Sequence, residues 1–143
     1  EKKLFNEFME HITKDDGLAT YGETDIRKAL MMGAVDKILI SEDLNKVRLF
    51  MKCENCGYEE ERTVIPRRIE EISEDVRSEE CPECKSHLYQ VTREMDLVEN
   101  LGNLAKQQGS TIEIISSETE GGTSLLQTFG GIAAILRFNI GTY

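Results

Sequence analysis

The sequence predicts an α/β sandwich, a central sheet flanked by helices, interrupted by a small β-rich insertion. Three observations carry that prediction. Before residue 45 and after residue 93, helix-period stripes alternate with short β-branched runs, the order that builds a layered α/β domain. Between those limits the apolar residues alternate singly, as in half-exposed strands, and two C-x2-C pairs appear. Finally, 143 residues with 39% hydrophobic and 31% charged side chains suffice for about one packed domain and are unlike a disordered chain. The expected division is 1–44 with 94–143 for the α/β part and 45–93 for the insertion.

In chain order, Leu4, Phe5, Phe8, Met9 and Ile12 fall on one face of a helix that ends near Asp15-Asp16-Gly17. Thr20-x-x-Glu23 reads as a capping box opening a second helix, with Ile26, Ala29 and Leu30 inward and a stop at Gly33. Val35–Ile40 is a strand whose continuous apolar end suits burial on both faces. In the insertion, Val47, Leu49 and Met51 mark one strand and 58–63 a second. Pro66 opens a short helix bearing Ile69, Ile72 and Val76, and Leu88, Tyr89 and Val91 mark a closing strand. The α/β pattern then resumes. Asp96 caps a helix with Leu97, Leu101, Leu104 and Ala105 inward, closed by Gly109; Thr111–Ile115 is a strand. A polar loop over 116–122 leads to a helical stretch at 123–128. Gly130-Gly131 then turns the chain into a buried strand that runs toward Phe138.

The four cysteines, Cys53, Cys56, Cys81 and Cys84, fall in two matched pairs with 24 residues between them. A C-x2-C turn aims two thiolates at one centre, and two such turns complete a tetrahedral, closed site of the structural zinc kind. Gly57 follows the first pair where a tight turn needs positive φ, and Pro82 sits inside the second. The insertion is therefore expected to be a zinc ribbon, with Zn2+ as structural cofactor and iron chemically acceptable to the same thiolates. Fewer than 50 residues with few large apolar side chains bury little core, and a metal supplies the missing stability.

Composition restricts function. The formal charge is −10, and between Cys53 and Cys84 there are 11 acidic side chains against 4 arginines. Affinity for phosphate backbones comes from Lys and Arg releasing counterions, so direct nucleic-acid binding is not expected. The Arg67-Arg68 pair is the one basic spot in that stretch, with Glu70 and Glu71 beside it to neutralise it. No apolar run reaches the roughly 18 residues of a membrane span, and the N-terminal residues have no signal-peptide core, so a cytoplasmic protein is expected. No catalytic constellation can be assembled: His11 reads as a surface histidine of the first helix among acidic and apolar neighbours, His87 as incidental to the second cysteine pair, and no phosphate loop or dinucleotide fingerprint is present. The expectation is a protein that is not an enzyme.

Two blocks carry a family resemblance. TYGETDIRKALMMGAVDKILISEDL (20–44) and GSTIEIISSETEGGTSLLQTFGGIAAILRF (109–138) resemble the third, C-terminal domain of archaeal and eukaryotic class-1 peptide chain release factors. The ribosome-rescue factor Pelota shares that domain; the four-cysteine insertion, with CENC and CPEC, points to the archaeal release factors rather than to Pelota. The resemblance implies that stop-codon reading and peptidyl-tRNA hydrolysis belong to other domains, since this chain has no Gly-Gly-Gln motif. It implies a docking module for a translational GTPase of the elongation factor one-alpha type, acting at the ribosome, with the ABC-class recycling ATPase as a further partner. By the same resemblance Ile135, Leu136, Arg137 and Phe138 are candidate partner-binding residues, with the helix near 21–32 as neighbour; read from the residues alone, Ile135, Leu136 and Phe138 are strand core. The rival readings are an RNA-binding module like the kink-turn-binding ribosomal proteins, the equivalent Pelota domain, or an iron-carrying ribbon protein.

Overall fold

A computed structural model describes residues 2–141 and divides the chain into two compact units, 1–44 with 101–143 and 45–100. The first unit contains α1 (Lys2–Lys14), β1 (Ala19–Tyr21), α2 (Glu23–Met31), β2 (Val35–Ser41), β6 (Thr111–Ile115), α5 (Glu120–Phe129) and β7 (Ile132–Leu136). The second contains β3 (Val47–Cys53), β4 (Glu59–Val64), a single 3-10 turn at Pro66–Arg68, α3 (Ile69–Ser78) and β5 (Tyr89–Asp96). Helix α4 (Leu97–Gln107) begins in the second unit and ends in the first.

In the first unit a four-stranded sheet runs in the order β1-β7-β2-β6. β2 and β6 are parallel, whereas β7 is antiparallel to both β1 and β2. Successive side chains on a strand face opposite ways, so β7 feeds both faces of the sheet. Ala133 and Ile135 join Leu39, Ile115, Phe5, Phe8, Leu125 and Phe129 in one core under α1 and α5. Three phenylalanines set its geometry, with the Phe8 ring edge-on to Phe129 at 5.1 Å between centroids. Ile38 and its parallel partner Ile112 face the other way, and the Ile112 Cδ1 lies 3.7 Å from where a Gly102 Cβ would be. Helix α4 therefore covers that second face, with Leu101 and Ala105 buried, and α2 buries Ile26, Ala29 and Leu30. The sandwich expected from the alternating pattern is present, helices on both faces of the sheet.

Several local expectations are corrected. Thr20 does not cap a helix: it lies in β1 and pairs with Ala134, and α2 begins after Gly22 with no side-chain cap. The three-residue β1 is held by its β7 partner, a distant contact with no local sequence signal. Helix α5 starts at Glu120, ahead of the expected 123, because Thr119 caps it by accepting the Gly122 N–H at 2.9 Å. Gly122 reads as loop in sequence, but here it is packing: a Cβ would run into the Ser116 carbonyl oxygen. The final strand ends at Leu136, so Arg137 and Phe138 lie outside the sheet. Asp96 does cap α4, its Oδ2 accepting the Val98 and Glu99 N–H groups at 3.1 and 3.3 Å.

In the second unit β4-β3-β5 form an antiparallel sheet. Leu49, Met51, Cys53, Ile72, Val76, Cys81 and Tyr89 form its buried cluster. Tyr89 is buried with its hydroxyl donating to Glu60 at 2.7 Å, and Glu60 also accepts from Arg62 at 2.8 Å. Burial opposes ionisation of Glu60, but the Arg62 and Tyr89 hydrogen bonds outweigh it and hold the carboxyl below its usual range. Desolvation, followed by the nearby carboxylate, pushes the Tyr89 phenol well up. Among the described residues no helix is long and apolar enough to cross a membrane.

Candidate metal centre

The four cysteines reach one point from two turns of the same construction. In the first, Cys53 N–H donates to the Tyr58 carbonyl at 2.9 Å and Gly57 N–H donates to the Cys53 carbonyl at 2.9 Å. In the second, Cys81 N–H donates to the Ser86 carbonyl at 2.8 Å and Lys85 N–H to the Cys81 carbonyl at 3.0 Å. Each knuckle thus closes with the same pair of bonds, four and five residues past its first cysteine. The residue four past that cysteine needs positive φ in both: Gly57 at 81° and Lys85 at 65°. Glycine adopts that conformation without penalty, whereas lysine has its Cβ pressed against the following carbonyl oxygen. The Gly57 turn was legible in sequence; the matching turn at Lys85 was not, because no glycine marks it.

The four Sγ atoms lie within 4.8 Å of one another. Two separations between knuckles, Cys53 to Cys84 and Cys56 to Cys81, are 3.6 Å. Metal–sulfur bonds of about 2.3 Å in a tetrahedron put sulfurs about 3.8 Å apart, so the set can hold one ion without moving the backbone. Cys53 and Cys81 are fully buried, Cys84 half-buried and Cys56 exposed, which closes the site from the core side.

Electrostatics fit a cation as well. Amide donors favour thiolate: the Asn55 side chain and the Ser86 backbone bring Cys84 down to about 6, and the Cys56 backbone N–H lowers Cys53. Cys56 also receives the Tyr58 N–H, yet desolvation and the three neighbouring sulfurs outweigh it and push its thiol up to about 12. Four thiolates at these distances repel one another, and a divalent ion at their centre removes that cost. His87 stands apart, exposed, with Nε2 4.0 Å from Glu80. His11 lies in the other unit, where Nδ1 is 2.7 Å from the Asp16 carboxylate. Arg68 pairs with Glu71 at 3.2 Å, as its acidic neighbourhood suggested.

The residues named as partner-binding candidates separate. Ile135 and Leu136 are core, 2% and 5% exposed. Arg137 is exposed, but its backbone N–H donates to the Ala34 carbonyl and its Nη2 to the Gly109 carbonyl, both at 2.6 Å. Phe138 alone is a large apolar side chain in water, 47% exposed, and so is not strand core. The bond from Arg137 to Ala34 brings the Phe138 segment beside the end of α2, where Met31 and Met32 are 85% and 47% exposed.

A family model described as eRF1 domain 3 matches residues 1–140. The chain belongs to that family. Among curated relatives, Peptide chain release factor subunit 1 of Pyrococcus abyssi is 46% identical over 98% of this chain and 33% of its own length. The chain therefore spans about a third of the curated relatives it matches. The solved C-terminal domain of a peptide chain release factor from Methanosarcina mazei shares 34% identity and a TM-score of 0.84, over 99% of this chain and 83% of that one. Archaeoglobus fulgidus Pelota, at 20% identity, has the fold in common, with a TM-score of 0.56 over 99% of this chain and 30% of its own.

Proposed function

We propose that this eRF1 domain 3 chain is the partner-docking C-terminal domain of a translation termination factor, acting in the cytoplasm and catalysing nothing itself. The observation that carries the reading is the exposed apolar group Phe138, Met31 and Met32 at one end of the α/β unit. Single exposed hydrophobics are ordinary, but three large ones on segments joined by the Arg137–Ala34 bond offer apolar surface that a partner can bury. Phe138 is the anchor, the methionines its adaptable border. The partner is a translational GTPase of the elongation factor one-alpha type, which delivers the factor to the ribosome; the ABC-class recycling ATPase is a second user of the domain. Stop-codon reading and peptidyl-tRNA hydrolysis fall to parts of the longer relatives that this chain does not span.

Within this reading Cys53, Cys56, Cys81 and Cys84 hold a structural Zn2+. Four sulfur ligands fill a tetrahedral shell and leave no position for water or substrate. The ion supplies folding free energy to the second unit.

Calorimetric titration with an archaeal GTPase of that type, with and without GTP, tests the docking. Saturable one-to-one binding is expected, weakened at least about tenfold by Phe138→Ala, the loss of one hot-spot aromatic. The variant's melting temperature should stay unchanged, because Phe138 is outside the core. Full-strength binding by Phe138→Ala would move the interface elsewhere. Salt-dependent binding of RNA with no GTPase binding would favour the RNA-module reading instead.

A further inference from the structure

Two side chains of the second unit cross from one knuckle to a sulfur of the other. Asn55, inside the first knuckle, donates from Nδ2 to Cys84 Sγ at 3.4 Å. Ser86, one residue past the Lys85 turn of the second, has its Oγ 3.6 Å from Cys53 Sγ. The Ser86 oxygen already accepts the Leu88 N–H at 3.2 Å, which leaves its proton for the sulfur. A thiolate has no proton to give, so in the ionised site the hydroxyl must be the donor.

Backbone amides alone do not make this crossing. Cys81 Sγ accepts the Glu83 N–H at 3.4 Å, Cys56 accepts from Tyr58, and Cys53 from the Cys56 N–H, all within one knuckle. The residue matching Asn55 in the second knuckle is Glu83, whose ionised side chain accepts but cannot donate. Ser86 fills that gap from further along the chain. Each knuckle thereby lends one donor to the other's sulfur.

We propose that Asn55 and Ser86 are positioning residues for the metal, an assignment that rests on the four-cysteine metal reading above. Four thiolates around a divalent ion carry a net charge of −2, in a segment already rich in carboxylates. A donor on Cys53 and another on Cys84 draw off part of that charge and fix the spacing of the two turns. Outer donors of this kind tune affinity by about 10- to 100-fold.

The test uses the whole 143-residue chain. Zn2+ affinity is measured by competition with a chromophoric chelator, and the sulfur-to-metal charge-transfer bands are recorded with Co2+ in the same site. Asn55→Ala should bind Zn2+ about tenfold more weakly. Its Co2+ bands should move to lower energy, since a thiolate stripped of a donor gives up its electron more readily. Asn55→Asp, which keeps the shape and loses the donor, should behave likewise. Ser86→Ala should show a smaller loss that Ser86→Thr restores. Asn55 is exposed, so its replacement opens no cavity and fold loss does not confuse the result. Wild-type affinity and unshifted bands in Asn55→Ala and Ser86→Ala would overturn the assignment, as would full affinity in Asn55→Asp. A wild-type chain that takes up neither Zn2+ nor Co2+ would instead refute the metal reading itself.

Discussion

Where the α/β unit buries Phe8, Ile26, Leu39, Leu125 and Ile135 around a four-stranded sheet, the hydrophobic cluster of the ribbon has seven buried members, two of them cysteines and one a tyrosine tied to a carboxylate. Apolar transfer is worth about 25 cal/mol per Å2 and accumulates with every side chain of the first core. In the second it is scarce, and polar groups stand where more Leu or Ile would otherwise be. The difference teaches that one short chain is built in two ways, on apolar burial in one unit and, in the other, on a polar network beside four cysteines placed to hold a metal ion.

Substitutions should break that contrast in graded steps. Cys53→Ser should have the largest effect. Removing one of four ligands forfeits much of a binding free energy that reaches about 10 kcal/mol or more in small zinc domains. Metal content by mass spectrometry should fall, and the folded signal of the ribbon should be lost while the melting transition of the α/β unit remains. Phe8→Ala is the mirror experiment. It opens a cavity beneath α1 and should cost about 3–5 kcal/mol in denaturant unfolding of the α/β unit, with Zn2+ affinity unchanged.

Tyr89→Phe should cost less, about 1.5–3 kcal/mol for a hydrogen bond to a charged acceptor, read from ribbon unfolding in urea. It also has a pH signature. Glu60 is held below its usual 4.5 in the folded ribbon, so across that range the unfolded chain binds more protons. Stability from Glu60 is therefore full above about 4.5 and is lost as pH falls through the lower, folded value. Tyr89→Phe should flatten that acid limb. The smallest effect is a gain: Lys85→Gly relieves the left-handed turn of the second knuckle and should stabilise the ribbon by about 1 kcal/mol or less, seen as a small rise in its melting temperature.

What could be read from sequence was what local spacing determines. Two C-x2-C turns, the 3.6-period stripes of α1 and α4, and the apolar strand β2 each carry their signal within a few residues. β1 carries none: Thr20 looks like a cap because three residues of strand are defined only by β7 on the far side of the sequence. Gly121-Gly122 looks like a loop because neither the Phe5 ring against Gly121, a tertiary contact, nor the folding-back of the Ser116 carbonyl onto Gly122 shows in the run of residues. The same holds for the candidate metal centre. Its four cysteines were legible, but Asn55 and Ser86 depend on how two knuckles face each other, and the sequence between them does not encode that in any local pattern. Phe138 looks apolar enough for a core, and only the end of β7 at Leu136 shows that it lies outside.

Hydrogen exchange by mass spectrometry, before and after chelation of the metal, tests most directly whether the two units draw on separate sources of stability. The expected result is rapid exchange throughout β3, β4 and β5 once the metal is removed, with β2 and β7 as protected as before. Loss of protection in β2 and β7 at the same metal-free point, or no change in the ribbon, would contradict it.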